Sequence, residues 1–243
     1  MLEQLIEILE GWGIKKAADQ LEFLLDPGNI PFAIWETLYA PLLAAVFAYI
    51  IGLPLGVLLV TGEEGGIHPL PKWIMRVLNI VINLLRSVPF LILMVMVFPL
   101  SRMILGTSIG TTATIVPLTV AAFPYVARLV EGSLREVDRG VIEAAQSMGC
   151  STLQIVTKVM LPECRPSLLG GATNAAITIL GYGAMAGNIG GGGLGAIALM
   201  RGHGRGQVIV LYVAVIILVI LVQIMQSIGS ALTTKTDKRI SHK

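Results

Sequence analysis

Three arrangements in this 243-residue chain could carry chemistry. Gly106-Thr107-Ser108-Ile109-Gly110 has the GxSxG form that presents a nucleophilic serine. Such a serine needs a preceding strand, and a histidine and an acid to activate its hydroxyl. Neither accompanies it here, so a turn is expected. Gly190 to Gly195 has the GxGxxG spacing of a dinucleotide loop. No strand precedes it, and no acid follows about 20 residues later to hold a ribose. Cys150 and Cys164, with the scattered His68, His203 and His242, match no metal-site spacing. Both thiols read as ordinary small residues rather than a disulfide. No GxxxxGK[ST] sequence offers a phosphate cradle. The expectation is a chain with no catalytic residue, no metal and no cofactor, and without enzyme activity of its own.

The elements that would position any site are read from composition. The chain is 55% hydrophobic and only 13% charged, with mean hydropathy +0.82. Soluble domains carry about 25% charged residues. One buried core in a domain of this size cannot absorb such an apolar excess. An all-α polytopic membrane protein is therefore expected. Continuous runs such as LLAAVFAYIIGLPLGVLLV disfavour barrel strands, which alternate apolar and polar residues. Charge-free stretches place five transmembrane helices near 37–61, 77–101, 107–130, 166–187 and 207–232.

Lysine and arginine placement sets the orientation. With the 128–165 segment inside, the inner side holds Lys72, Arg76, Arg128, Arg135, Arg139, Lys158, Arg165, Lys235, Lys238, Arg239 and Lys243. The outer side holds only Lys15, Lys16, Arg102, Arg201 and Arg205. The N-terminus is thus expected outside and the C-terminus inside. Residues 1–30 form an extracytoplasmic arm, 31–234 the membrane domain and 235–243 a basic cytoplasmic tail. The arm reads as an amphipathic helix over 2–25, stopped by Asp26-Pro27-Gly28-Asn29, and not as a cleavable signal. It either rests on the spans and the outer interface or serves as a docking arm for an external partner.

The spans hold few ionisable residues. Arg86 and Glu131 are the candidates, both toward cytoplasmic ends, so an ion-coupled relay has little to work with. Gly52 and Gly56 form GxxxG around Pro54, which marks either close helix packing or a local bend.

Residues 138–162 carry the strongest signal. Asp138 caps a short helix running to about Met148, with Val141, Ala144, Ala145 and Met148 on one face. Gly149 ends that helix, and Ser151-Thr152-Leu153-Gln154 is a capping box that opens a second. The second helix ends at Leu161-Pro162, and Pro166 suits the first turn of the next span. This is a knob suited to a partner's groove, or an ordinary helical connection.

Glu143-Ala144-Ala145, Gly149 and Val159-x-Leu161-Pro162 resemble the EAA loop of bacterial ABC importer permeases, with Val159 for the family's Ile. Arg86-Ser87-Val88-Pro89-Phe90 resembles that family's segment at the start of the second span. Gly181-Tyr182-Gly183-Ala184-Met185-Ala186-Gly187 and the following glycines resemble the methionine-uptake branch. The resemblance spans about residues 34–232 and implies a five-span permease subunit in the bacterial plasma (inner) membrane. It implies a homodimer of permeases, two cytoplasmic ATP-binding subunits and an extracytoplasmic substrate-binding lipoprotein, with no nucleic-acid partner. Glu143, Ala144, Ala145, Gly149, Leu161 and Pro162 would form the ATPase-coupling element. Tyr182, Met185 and Asn188, beside the glycine-rich break, would line the gate or path, with Met185 equally readable as ordinary packing. The rival readings are a permease for another amino acid or a phosphonate, and an ATP-independent channel or secondary transporter.

Overall fold

The computed structural model describes residues 2–11 and 17–237, and every regular element among them is helical. In chain order these are α1 (Leu2–Gly11), α2 (Ala17–Leu25), α3 (Asn29–Thr61), α4 (Lys72–Ser87), α5 (Phe90–Leu105) and α6 (Ile115–Arg135). There follow α7 (Arg139–Ser147), α8 (Thr152–Ile155), α9 (Leu161–Glu163), α10 (Arg165–Ala186), α11 (Gly193–Ala196) and α12 (Val208–Thr236). Two π-helical stretches, Val156–Met160 and Ile197–His203, continue α8 and α11.

Among the described residues, four helical stretches are long and apolar enough to cross a membrane: Asn29–Thr61, Thr112–Arg135, Arg165–Ile189 and Val208–Thr236. The single straight helix expected over 77–101 is corrected. It is two helices, α4 and α5, bent by 110°, and they make a fifth span if the pair is taken as one. Pro89 explains the break. Proline drives the residue before it out of the helical region and brings no N–H of its own. Val88 is accordingly extended, at φ −79° and ψ 127°.

α3 begins at Asn29, eight residues before the expected start of the first span. It packs chiefly on α6 through a stripe of small residues: Ala40, Ala44, Ala48, Gly52 and Gly56, all buried. Their spacing of four puts them on one helix face. A β-carbon at Gly52 would lie 2.8 Å from Val126 Cγ1 and 2.9 Å from the Phe123 carbonyl oxygen. Small residues let helix backbones approach closely where lipid offers no hydrophobic drive to associate. GxxxG therefore marks close packing, and α3 runs on through Pro54.

The expected single helix over 2–25 is described as α1 and α2, with 12–16 outside the described residues, as are Lys238, Arg239, His242 and Lys243. α2 rests on the start of α12. Gln20 is fully buried, and its Oε1 accepts the Ile209 N–H at 2.9 Å. That satisfies one of the donors a helix start leaves unpaired. The Arg201 guanidinium lies 3.6 Å over the Phe23 ring, a cation–π contact.

Candidate functional site

The 138–162 segment is built from local caps. The Asp138 carboxylate accepts the Gly140 N–H at 2.6 Å, opening α7. Gly149 ends the turn at φ +76°, a conformation that costs any residue with a β-carbon. Its N–H and that of Cys150 close back on the Gln146 and Ala145 carbonyls. Ser151 and Gln154 then cap each other's backbone reciprocally, at 2.8 and 3.4 Å. The second helix runs past the expected stop, to Glu163. The π-helical turn over Val156–Met160 accommodates Pro162, which cannot close an ordinary helical bond to Lys158.

The four residues expected on one face of α7 divide. Ala145 is buried against the core with Ile155, Val156 and Met160. Val141 and Ala144 are exposed, Met148 is 76% exposed, and Leu153 on the next helix is 72% exposed. Glu143 is also exposed, while Leu161 and Pro162 are half-buried at the far end. The knob thus shows apolar side chains at its tip and is anchored by its inner face.

At the base of the knob lies an ionic cluster. Arg128 donates to Glu131 Oε2 at 2.6 Å, Asn79 Oδ1 at 2.7 Å and Asn83 Oδ1 at 3.0 Å, tying α4 to α6. Arg135 binds Glu131 Oε1 at 3.0 Å and grips both carboxylate oxygens of Glu63. Glu131, one of the two ionisable residues singled out in the sequence, is held between two arginines. Arg86, the other, stands in the last turn of α4. It lines a cavity with Tyr125, the midpoint of α6, because α4 stops at the proline break.

Tyr182 and Met185 on α10 and Asn188 in the next turn follow a spacing of three, leading from the middle of the bundle toward the glycine run. The Tyr182 ring stacks on Phe90, with centroids 4.5 Å apart and planes 7° from parallel. Met185 is 48% exposed and Asn188 is exposed. The glycine run then turns the chain back into backbone contact with α10. A β-carbon at Gly195 would collide with the Ala184 carbonyl oxygen, and one at Gly187 with the Ala196 nitrogen.

Residues 52–242 match the family described as binding-protein-dependent transport system inner membrane component. The chain belongs to that family. It is 48% identical over 218 residues to the probable D-methionine transport system permease protein MetI of Vibrio cholerae, covering 89% of this chain and 96% of that one. It is 47% identical over 154 residues to the D-methionine transport system permease protein MetI of Escherichia coli K12, covering 63% and 70% of the two chains. A solved structure of the MetNI methionine ABC transporter in inward-facing conformations aligns at TM-score 0.82 and 43% identity, over 84% of this chain and 94% of that one.

For an inner membrane transport component, the sequence's catalytic look-alikes have plain structural explanations. Ser108 donates to the Phe98 carbonyl at 3.2 Å, between Gly106 and Gly110 at φ +77° and +102°. The GxGxxG run is the close-approach segment just described. Cys150 and Cys164 are free thiols.

One residue escaped the sequence reading. Glu36 abuts the expected first span but lies two turns inside α3. Its carboxylate accepts the Thr111 hydroxyl at 2.5 Å and the Gly193 N–H at 2.9 Å, and neighbouring Thr37 Oγ1 accepts the Leu194 N–H at 2.8 Å. An acid beside a helix start suits the unpaired N–H groups there. The signal was a Glu-Thr pair at the edge of a charge-free run.

Proposed function

We propose that this chain is the permease subunit of an ATP-driven importer of methionine, working as a homodimer with two cytoplasmic ATP-binding subunits and an extracytoplasmic binding lipoprotein. Five spans, counting α4 and α5 as one, cross the inner membrane with the N-terminus outside and the C-terminus inside. The arm of residues 1–30 lies on the outer face, the domain of 31–234 spans, and the basic tail of 235–243 faces the cytoplasm.

The carrying observation is the ordered knob around Gly149, which exposes Val141, Ala144, Met148 and Leu153 at its tip. Exposed apolar side chains on a well-capped element are what a partner's groove takes up. The substrate follows from the relatives named above. Closure of the two ATPases moves the knobs, with Glu143, Ala144, Ala145, Gly149, Leu161 and Pro162 transmitting the motion. The spans then rock between two states, a bistable change driven from outside the membrane. Tyr182, Met185 and Asn188 line the gate, where a flexible thioether from each protomer closes the path.

The test is uptake of labelled methionine by the complex reconstituted with ATPase and binding protein, competed with a panel of amino acids. Uptake that needs ATP hydrolysis and is displaced by methionine supports the reading. Uptake without an ATPase overturns it. For the gate, a Met185→Cys variant that stays unreactive to a small thiol reagent in every nucleotide state removes Met185 from the path.

A further inference from the structure

At the break between α4 and α5 the fold leaves a cavity of about 180 Å³, lined by Leu85, Arg86, Phe90, Leu93, Tyr125 and Tyr182. Tyr125 is the central residue of α6, so the cavity lies about 15 Å from either end of that helix at 1.5 Å per residue. Among the described residues, the Arg86 guanidinium makes no hydrogen bond or ion pair. Arg86 is exposed in the single chain, so the cavity is open on that side, and an ionisable residue between spanning helices marks a transport path. An arginine offers a planar fork of donors that fits a carboxylate. The Phe90–Tyr182 stack forms an apolar wall beside it, and the tyrosine hydroxyls can accept from an ammonium group.

The volume is below the roughly 300–1,000 Å³ of drug-sized sites and suits a ligand of amino-acid size. We propose that this cavity is a binding subsite on the translocation path for an α-amino acid with an unbranched apolar side chain. Arg86 takes the carboxylate, and Phe90, Tyr182, Leu85 and Leu93 take the side chain. A thioether is favoured there by sulfur–aromatic contact. The subsite rests on the import reading and adds a contact inside the membrane, apart from the binding protein.

The experiment uses the permease–ATPase complex in nanodiscs without the binding protein. Ala121→Cys, a small substitution in the cavity wall, is introduced with Cys150→Ser and Cys164→Ser, and its alkylation rate is measured. Millimolar methionine should slow alkylation about fivefold, a gain of about 1 kcal/mol, and methioninamide, which lacks the carboxylate, should do so far less. Arg86→Gln should abolish the protection, and Arg86→Lys should keep part of it. Equal protection with Arg86→Gln overturns the carboxylate role. Absent protection, or a cysteine that never reacts, overturns the subsite. Methionine uptake by the same preparation with binding protein and ATP then decides the parent reading separately: uptake keeps import standing without the subsite, and no uptake removes both.

Discussion

A β-carbon on Gly56 would lie 2.6 Å from Val130 Cβ and 2.7 Å from the Ala127 carbonyl oxygen. Neither atom can rotate aside, because one is fixed to the backbone and the other belongs to it. The distance between α3 and α6 is therefore set by the missing side chain. Gly52, one turn earlier, repeats the arrangement against Val126 and Phe123, and buried Ala48 and Ala44 continue the stripe with the smallest side chain.

Gly56→Ala is expected to force the two helices apart and cost about 1–3 kcal/mol, as overpacking of a close interface does. Gly132 on α6 is the control, since nothing lies within 4 Å of a β-carbon added there. Thermal unfolding in detergent should show a lower apparent Tm for Gly56→Ala and none of that loss for Gly132→Ala. Equal midpoints would remove the seam as a stability determinant.

Gly149 presents the opposite case. Space around its β-carbon position is open, but φ is +76°. Gly149→Val should cost about 1–2 kcal/mol by conformation alone and re-aim Met148 and Leu153. Recovery of the ATP-binding subunit with the purified permease should fall roughly tenfold, the change that 1.4 kcal/mol brings, and uptake with it. Gly149→Asn, which tolerates a left-handed turn, should retain more of both. Unchanged recovery and uptake would show that the knob is not the docking element.

What the sequence made legible was local. Asp138 with Gly140, and Ser151 with Gln154, cap within three residues of themselves, so their geometry follows from spacing. The apolar runs located the long apolar helices, since no soluble fold could hide them. Long-range relations were not legible. Glu36 meets Gly193 across 157 positions, and nothing near either residue announces the other. Pro89 is visible as a breaker, yet the placement of α4 also depends on Arg128 reaching Asn79 and Asn83 from another helix. On α7 the periodicity grouped Val141, Ala144, Ala145 and Met148, but only packing decides that Ala145 turns inward.

Cys164 gives a pH prediction. Burial pushes its thiol from an ordinary 9.0 up to about 11, and the Glu136 and Glu163 carboxylates add to the rise. The folded chain therefore holds this proton more tightly than the unfolded one. That contribution is complete below pH 9.0 and is lost as pH rises through about 11. Melting curves should show an alkaline decline in that window, reduced in Cys164→Ser. At pH 8 iodoacetamide, which reacts with thiolate, should modify half-buried Cys150 well before buried Cys164. The reverse order would contradict the burial of Cys164.

Glu36 holds three parts of the chain together: α3, the Thr111 turn and the start of α11. Glu36→Ala leaves the Thr111 hydroxyl and the Gly193 N–H without their acceptor, a loss of about 1–3 kcal/mol where water cannot replace it. It also removes the negative charge facing the helical stretch that begins at Gly193. Glu36→Gln keeps one oxygen and sets an NH₂ group against the second donor, so its effect should be intermediate. The consequence is local, because Thr37 still accepts from Leu194 at 2.8 Å while donating to the Ala33 carbonyl at 2.7 Å. Amide exchange over residues 190–197 should accelerate roughly 5–150-fold in Glu36→Ala, the factor that 1–3 kcal/mol of local opening produces. Exchange over α7, held by its own caps, should stay unchanged. Equal acceleration in both segments would mean that Glu36 supports the whole bundle rather than latching the glycine segment to α3.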